Sequence, residues 1–208
     1  MHPRFLGDSF DIVKQSLLRW LAACAPWSAH PMFTEPVTTE DVRAYSRLVG
    51  AKVISQEVLA DRTDRVAYFA PARRCTTHLL LDPDTGLRMR KTSGQAASSY
   101  LFGEELLQIA ETRPQLLTLV FDQSIARGRE RQQLESKLSA LAAHALYGIA
   151  YVSHACFFLV GKKGALIKRA FETLKKESGL PESRFLKGEP DNNQMQRTRP
   201  PQATKPRR

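Results

Sequence analysis

The segment His78-Leu79-Leu80-Leu81-Asp82-Pro83-Asp84-Thr85-Gly86 runs from three leucines straight into two acids and a Pro/Gly turn. A short apolar run bounded by turn residues reads as a strand covered on both faces. In sheets of that kind, ligands sit just beyond the carboxyl ends of the strands. Asp82 and Asp84 stand at that position. The same Asp-Pro-Asp-Thr-Gly string is also a good turn sequence, because Asp and Gly tolerate the backbone angles that turns need.

Outward from this strand (77–81) the chain alternates. Upstream, residues 8–23 read as a helix capped by Asp8 or Ser9, with Val13, Leu17, Leu18 and Leu21 on one face. Residues 27–34 read as a short strand. A helix capped at Thr38 or Thr39 runs to Val49 and stops at Gly50, and 51–58 reads as a strand. Residues 60–76 fit a short helix or an irregular crossover. Downstream, 87–99 reads as a polar loop and 100–112 as a helix. The apolar run Leu116–Phe121 is a second fully covered strand, ending in Asp122-Gln123-Ser124. Residues 128–145 form an amphipathic helix, 149–153 and 156–160 a hairpin around His154-Ala155, and 164–178 a last helix before Gly179. This order predicts a three-layer Rossmann-like α/β fold. The sheet is mostly parallel, with one antiparallel edge strand from the C-terminal hairpin.

The 208 residues are 42% hydrophobic and 25% charged, which suits a folded domain and excludes wholesale disorder. We expect a single α/β domain over 1–186 and a disordered basic tail over 187–208. That tail holds six Lys or Arg against two acids, with four prolines and almost no large apolar residue. The net charge of +10 fits a nucleic-acid partner, and the tail adds salt-sensitive attraction or is simply solvated. Cys24, Cys75 and Cys156 have no metal-binding spacing, so they read as free core thiols in a cytoplasmic protein. Asp8 and Asp11 precede any apolar run, which argues against a signal peptide, and no apolar stretch has membrane-spanning length.

Parallel strands bring their carboxyl ends to one edge. That edge should collect Thr34 and Glu35, then Asp82 and Asp84, then Asp122, Gln123 and Ser124, with Ser153 and His154 at the hairpin tip. Clustered carboxylates repel one another unless a divalent cation, a lysine or a cationic ligand lies among them. The candidate catalytic groups are therefore Asp82, Asp84, Asp122 and His154. Each has a plainer reading: Asp122 as a helix cap, His154 as a surface turn residue. Arg88, Arg90 and Lys91 follow the acidic turn and either hold a phosphate or form a solvated loop.

Three motifs resemble a family of uncharacterised bacterial proteins. They are Gly7-Asp8 with Asp11-Ile12-Val13-Lys14, Pro31-Met32-Phe33-Thr34-Glu35, and Leu81-Asp82-Pro83-Asp84-Thr85-Gly86-Leu87. The likeness spans residues 4–186 and implies that Asp8, Asp11 and Lys14 belong with the pocket. Lys14 then joins the catalytic set, and Asp8, Asp11, Thr34 and Glu35 form a cofactor-binding set. A more distant resemblance is to Rossmann-type methyltransferases, which also finish with a hairpin and an antiparallel strand and carry an Asp-Pro turn. It implies S-adenosylmethionine as cofactor and nucleic acid as substrate. Their glycine-rich first loop is replaced here by Met32-Phe33-Thr34-Glu35-Pro36. The Asp82-x-Asp84 pair is also similar to that of Toprim nucleases, which implies magnesium held by Asp82, Asp84 and Asp122 for phosphoryl transfer. A third reading is a non-catalytic Rossmann-like module.

Overall fold

The computed structural model describes residues 1–91 and 97–191. Part of the expected polar loop (92–96) and most of the expected tail (192–208) lie outside the described residues. The elements are α1 (Ser9–Leu21), β1 (Trp27–His30), α2 (Thr39–Val49), β2 (Lys52–Val53), α3 (Arg65–Tyr68), α4 (Ala70–Arg74), β3 (His78–Leu81) and β4 (Gly86–Arg88). Then follow β5 (Tyr100–Phe102), α5 (Gly103–Thr112), β6 (Thr118–Asp122), α6 (Glu130–Ala142), β7 (Tyr147–Tyr151), β8 (Cys156–Gly161), α7 (Gly164–Ser178) and β9 (Phe185–Gly188).

Seven strands form one sheet in the order β2-β1-β3-β6-β8-β7-β9. The pairs β1–β2, β1–β3 and β3–β6 are parallel, whereas β8 runs antiparallel to β6 and β7, and β9 antiparallel to β7. The sheet is thus mostly parallel and ends in an antiparallel edge strand. That edge strand is β9, while the hairpin's own antiparallel strand, β8, is inserted between β6 and β7. Because β9 begins at Phe185, the boundary expected at 186/187 falls inside a strand. Phe185 and Leu186 are buried, and that apolar pair is what anchors the segment.

Side-chain alternation sorts the core into two halves, one on each sheet face. Leu80, Leu119, Phe121 and Leu159 face α1, α2 and α7; Leu79, Leu81, Val120 and Phe158 face α4, α5 and α6. The three leucines of β3 are fully buried, and each contributes on the order of 1.5–3 kcal/mol of transfer free energy. This is the three-layer arrangement that the alternating sequence predicts.

Local signals explain most element ends. The Asp8 carboxylate accepts from the amides of Phe10 and Asp11 and starts α1. Thr38 and Asp41 exchange hydrogen bonds in a capping box that starts α2, and Gly50, at φ 69°, ends it. Two differences from the sequence reading matter for the site. The expected polar loop holds β4, and the expected helix over 100–112 opens with β5; these pair as a small separate parallel ribbon. The expected strand over 51–58 reduces to Lys52–Val53, with an extended segment beyond it.

The chain enters the sheet at β1, steps outward to β2, then crosses back to β3 on the other side of β1. The strand order therefore reverses between β1 and β3. A crevice opens at such a switch point, outside the carboxyl ends of the two strands.

Candidate functional site

At the β1/β3 switch point the buried face of α1 carries a charge. Asp11, Lys14, Leu18 and Leu21 fall three, four and three residues apart, so one stripe of the helix bears two ionised groups and two leucines. Lys14 Nζ donates to Asp11 Oδ1 and to Asp82 Oδ2, each at 2.8 Å, and it also lies 2.8 Å from Asp82 Oδ1. The ammonium sits 4.5 Å from the centroid of the Phe121 ring. The Tyr45 hydroxyl, from α2, donates to Asp82 Oδ2 at 2.8 Å. Asp11 Oδ2 accepts from the Gly7 amide at 2.8 Å, which fixes the turn before the helix.

All four side chains are buried. Burial opposes the Lys14 charge, but the carboxylates of Asp82 and Asp11 more than offset it and hold its pKa above the ordinary lysine value. Burial likewise pushes the Asp82 carboxyl up, against the pull of Lys14. Burial, together with the negative charge of Asp82, pushes the Tyr45 phenol well above its usual range, so it remains a neutral donor. The cluster is an electrostatic floor in which buried Asp82 Oδ1 has the Lys14 charge at 2.8 Å but no aligned hydrogen bond among the described residues. Lys14 has no unshared role as a base, and Asp82 is committed to Lys14 and Tyr45.

Above this floor lies a pocket of about 100 Å³, lined by His2, Phe5, Phe10, Asp84, Phe121 and Gln123 among others. The Met1 amine donates to Met32 O at 2.6 Å and to Asp82 O at 3.4 Å; burial lowers its pKa to about 5, against the attraction of Asp82. Asp84 is partly exposed at the mouth, and its main-chain oxygen is held by Gln123 Nε2 at 2.8 Å. Phe10 packs on Phe121 and, at 5.4 Å between centroids, on the exposed His154 ring.

The expected residues divide into groups. Asp8, Asp11, Lys14, Asp82 and Asp84 line the pocket, and His154 stands behind it against the Phe10 ring. Thr34 and Glu35 stay on the rim: the Thr34 amide donates to Met1 O at 3.1 Å, and Glu35 Oε1 lies 2.9 Å from His2 Nε2. Asp122 does not join them. In the register, Leu81 stands opposite Val120, so Asp82 is level with Phe121 and Asp122 is one residue further on, pointing through the other face. There it meets Lys137 Nζ at 2.5 Å and accepts from Ser124 Oγ at 2.6 Å.

The single acidic crevice expected from sequence is thus two sites on opposite faces, and Asp82, Asp84 and Asp122 do not form one metal-binding set. Among the described residues, no group of three or more His, Cys, Asp or Glu is placed to hold a metal ion. The space after β1 is filled by Met32 and Phe33, which are 0% and 2% exposed, with Met32 at φ 51°. A glycine-rich loop leaves room there for a ligand to approach the backbone. These two side chains do not, so the residues present do not fit S-adenosylmethionine in that position.

Sequence reasoning missed two participants. Tyr45 was legible as an inward residue of α2 but not as a hydroxyl donor. Lys137 interrupts the buried stripe Leu134, Leu138 and Leu141 of α6, and a cation on an apolar helix face was the signal that could have found it.

Comparison with known protein families, with characterised proteins and with solved structures found no match for this chain. No helix among the described residues is long and apolar enough to cross a membrane.

Proposed function

We propose that this protein is a Rossmann-like enzyme acting on nucleic acid, which takes an unstacked base into the pocket at the β1/β3 switch point. The observation that carries this reading is a pocket at the strand carboxyl ends lined by both carboxylates and aromatic rings. Asp84 supplies a carboxylate at the mouth, suited to the N–H donors of a base edge, and Phe5 and Phe10 supply ring faces for stacking. Beside it, the guanidinium of the exposed Arg4 lies 4.6 Å from the centroid of the Phe5 ring. The net charge of +10 attracts phosphates, and an acidic pocket repels them, so the base and not the backbone is drawn inward.

The floor beneath is chemically occupied. Lys14, Asp11, Asp82 and Tyr45 hold one another and give the pocket a fixed shape and field. Asp84 is the group left to accept a hydrogen bond or a proton from the bound base. The insertion of β8 between β6 and β7 supports a methyltransferase-like scaffold, but Met32 and Phe33 give no support to its cofactor. The magnesium-dependent alternative loses its third carboxylate to the opposite face. The non-catalytic module shares the same pocket and differs only in that nothing bound there is changed.

The test is binding of a labelled single-stranded oligonucleotide compared with an abasic strand of equal charge, followed by fluorescence anisotropy. A base stacked in the pocket favours the base-bearing strand by about 1–3 kcal/mol, a factor of roughly 5 to 150. Asp84→Asn and Phe10→Ala should each shrink that preference. Equal binding of the two strands would remove the pocket from the reading.

A further inference from the structure

Two rings of the switch-point pocket already hold cations. The Arg4 guanidinium lies 4.6 Å from the Phe5 ring centroid, and the Lys14 ammonium lies 4.5 Å from that of Phe121. Phe5 lines the pocket and is 48% exposed, a large apolar ring left in water. An aromatic face carries negative potential, so it draws a cation more strongly than a neutral molecule.

The charges of the lining point the same way. Asp8, Asp11, Asp82 and Asp84 stand against a single lysine, Lys14. The Met1 amine, lowered to about 5 by burial, adds no charge at neutral pH. His2 faces a further acid, Glu35, at 2.9 Å. Lys14 and Tyr45 donate to Oδ2 of Asp82. Its Oδ1 is also buried and has no aligned hydrogen bond among the described residues. The negative charge of the floor is therefore incompletely answered from below, and a cation above it relieves the excess.

An unmodified base is neutral and supplies no such charge. A base methylated on a ring nitrogen is a flat cation. In 3-methylcytosine the exocyclic amino group shares the charge and keeps its N–H donors, which a carboxylate such as Asp84 accepts in charge-assisted hydrogen bonds. We infer that the switch-point pocket selects a base made cationic by alkylation of a ring nitrogen over the unmodified base; the inference rests on the function proposed above and names the substrate class of that site.

Its test is an anisotropy titration of the full chain with three single strands that differ at one position: 3-methylcytosine, 5-methylcytosine or an abasic site. The 5-methyl base carries the same added methyl without the charge, so the comparison isolates the cation. A cation against a ring is worth roughly 2- to 30-fold in affinity, and the 3-methyl strand should bind more tightly than the 5-methyl strand by that factor. Asp84→Asn should shrink the ratio. Arg4→Gln should raise it, because Arg4 is a competing cation on the Phe5 ring. Arg4 is exposed, so its variant keeps the test informative if Asp84→Asn misfolds.

Equal binding of the two methylated strands, both above the abasic strand, would overturn the cationic preference and leave the pocket standing. A preference for 3-methylcytosine that neither variant changes would place the cation away from Asp84 and Phe5 and overturn the assignment. Thermal stabilisation by free 3-methylcytidine without strand binding would give the pocket to a free nucleoside and overturn the strand. Equal binding of all three strands would overturn both readings.

Discussion

The Lys14 ammonium lies 2.8 Å from carboxylate oxygens of both Asp11 and Asp82, and its side chain is only 4% exposed. Three charges are thus taken out of water together, and the arrangement is stable only while all three are present. Lys14→Met leaves two buried carboxylates facing each other and should cost about 3–5 kcal/mol in urea denaturation. Asp82→Asn keeps shape but removes the stronger partner of Lys14, and should also destabilise. Combining Lys14→Met with Asp82→Asn should cost less than the two single changes added together, because the pair is removed and not orphaned. An additive cycle would show that the two groups are not coupled.

Gly86 links the turn after β3 to the opposite face. Its φ is 144°, and a Cβ built there would stand 2.1 Å from Asp122 Oδ1. A side chain at 86 must therefore displace the carboxylate that neutralises Lys137. Gly86→Ala should cost at least the about 1–3 kcal/mol of backbone strain alone, with the lost ion pair in addition. At this chain length the strain by itself lowers the melting temperature by several degrees, which calorimetry resolves. A variant that melts with the parent would mean that β4 moves freely away from β6.

How far the site could be read from sequence depended on register. The strands, the flanking helices and the acids after Leu81 and Phe121 were all visible, because apolar runs and caps are local signals. The placing of Asp82 and Asp122 on opposite faces was not. It follows from Leu81 standing opposite Val120, and a shift of one residue would have brought both acids to the same side. Lys14 and Lys137 show the same limit from the helix side. Each sits on a buried stripe and so demands a buried anion, yet which anion is set by the crossing of α1 and α6 over the sheet. β9 was missed because Phe185-Leu186 is too short an apolar pair to outweigh the basic, proline-rich residues that follow.

His30 ends β1 in an apolar nest, 4.9 Å from the Tyr68 ring and 5.7 Å from Phe69 between centroids. Among the described residues, neither ring nitrogen has an aligned hydrogen-bond partner, nor has the Tyr68 hydroxyl. Burial lowers the His30 pKa to about 4, and burial beside Arg113 does the same for His78. Both are neutral when folded and bind protons near pH 6.5 when unfolded. Stability is therefore complete above pH 6.5 and falls as the pH drops toward 4, where the unfolded chain holds the extra protons. For His30 the loss approaches about 3 kcal/mol. His30→Phe should flatten that part of the profile and be stable at neutral pH, since it removes two unpaired polar atoms. An unchanged profile from pH 4 to 6.5 would show that His30 titrates normally in the folded protein.

The last prediction concerns small ligands. A compound that binds only the folded state at a hundred times its Kd adds about 2.7 kcal/mol, which at this size raises the melting temperature by roughly 5–10 °C. Met32 and Phe33 fill the space after β1, and the carboxylates of Asp82 and Asp122 are each paired with a lysine on different faces. Neither S-adenosylmethionine nor magnesium at millimolar concentration should shift the melting temperature measurably. If S-adenosylmethionine does, the loop Pro31–Thr34 must open on binding, and replacing Met32 and Phe33 with smaller residues should then tighten it. If magnesium does, Asp84→Asn distinguishes a site at the pocket mouth, where that carboxylate lies, from one formed by displacing Lys137 from Asp122. A magnesium shift that survives Asp84→Asn but disappears in Asp122→Asn would place the metal on the opposite face and move the chemistry there.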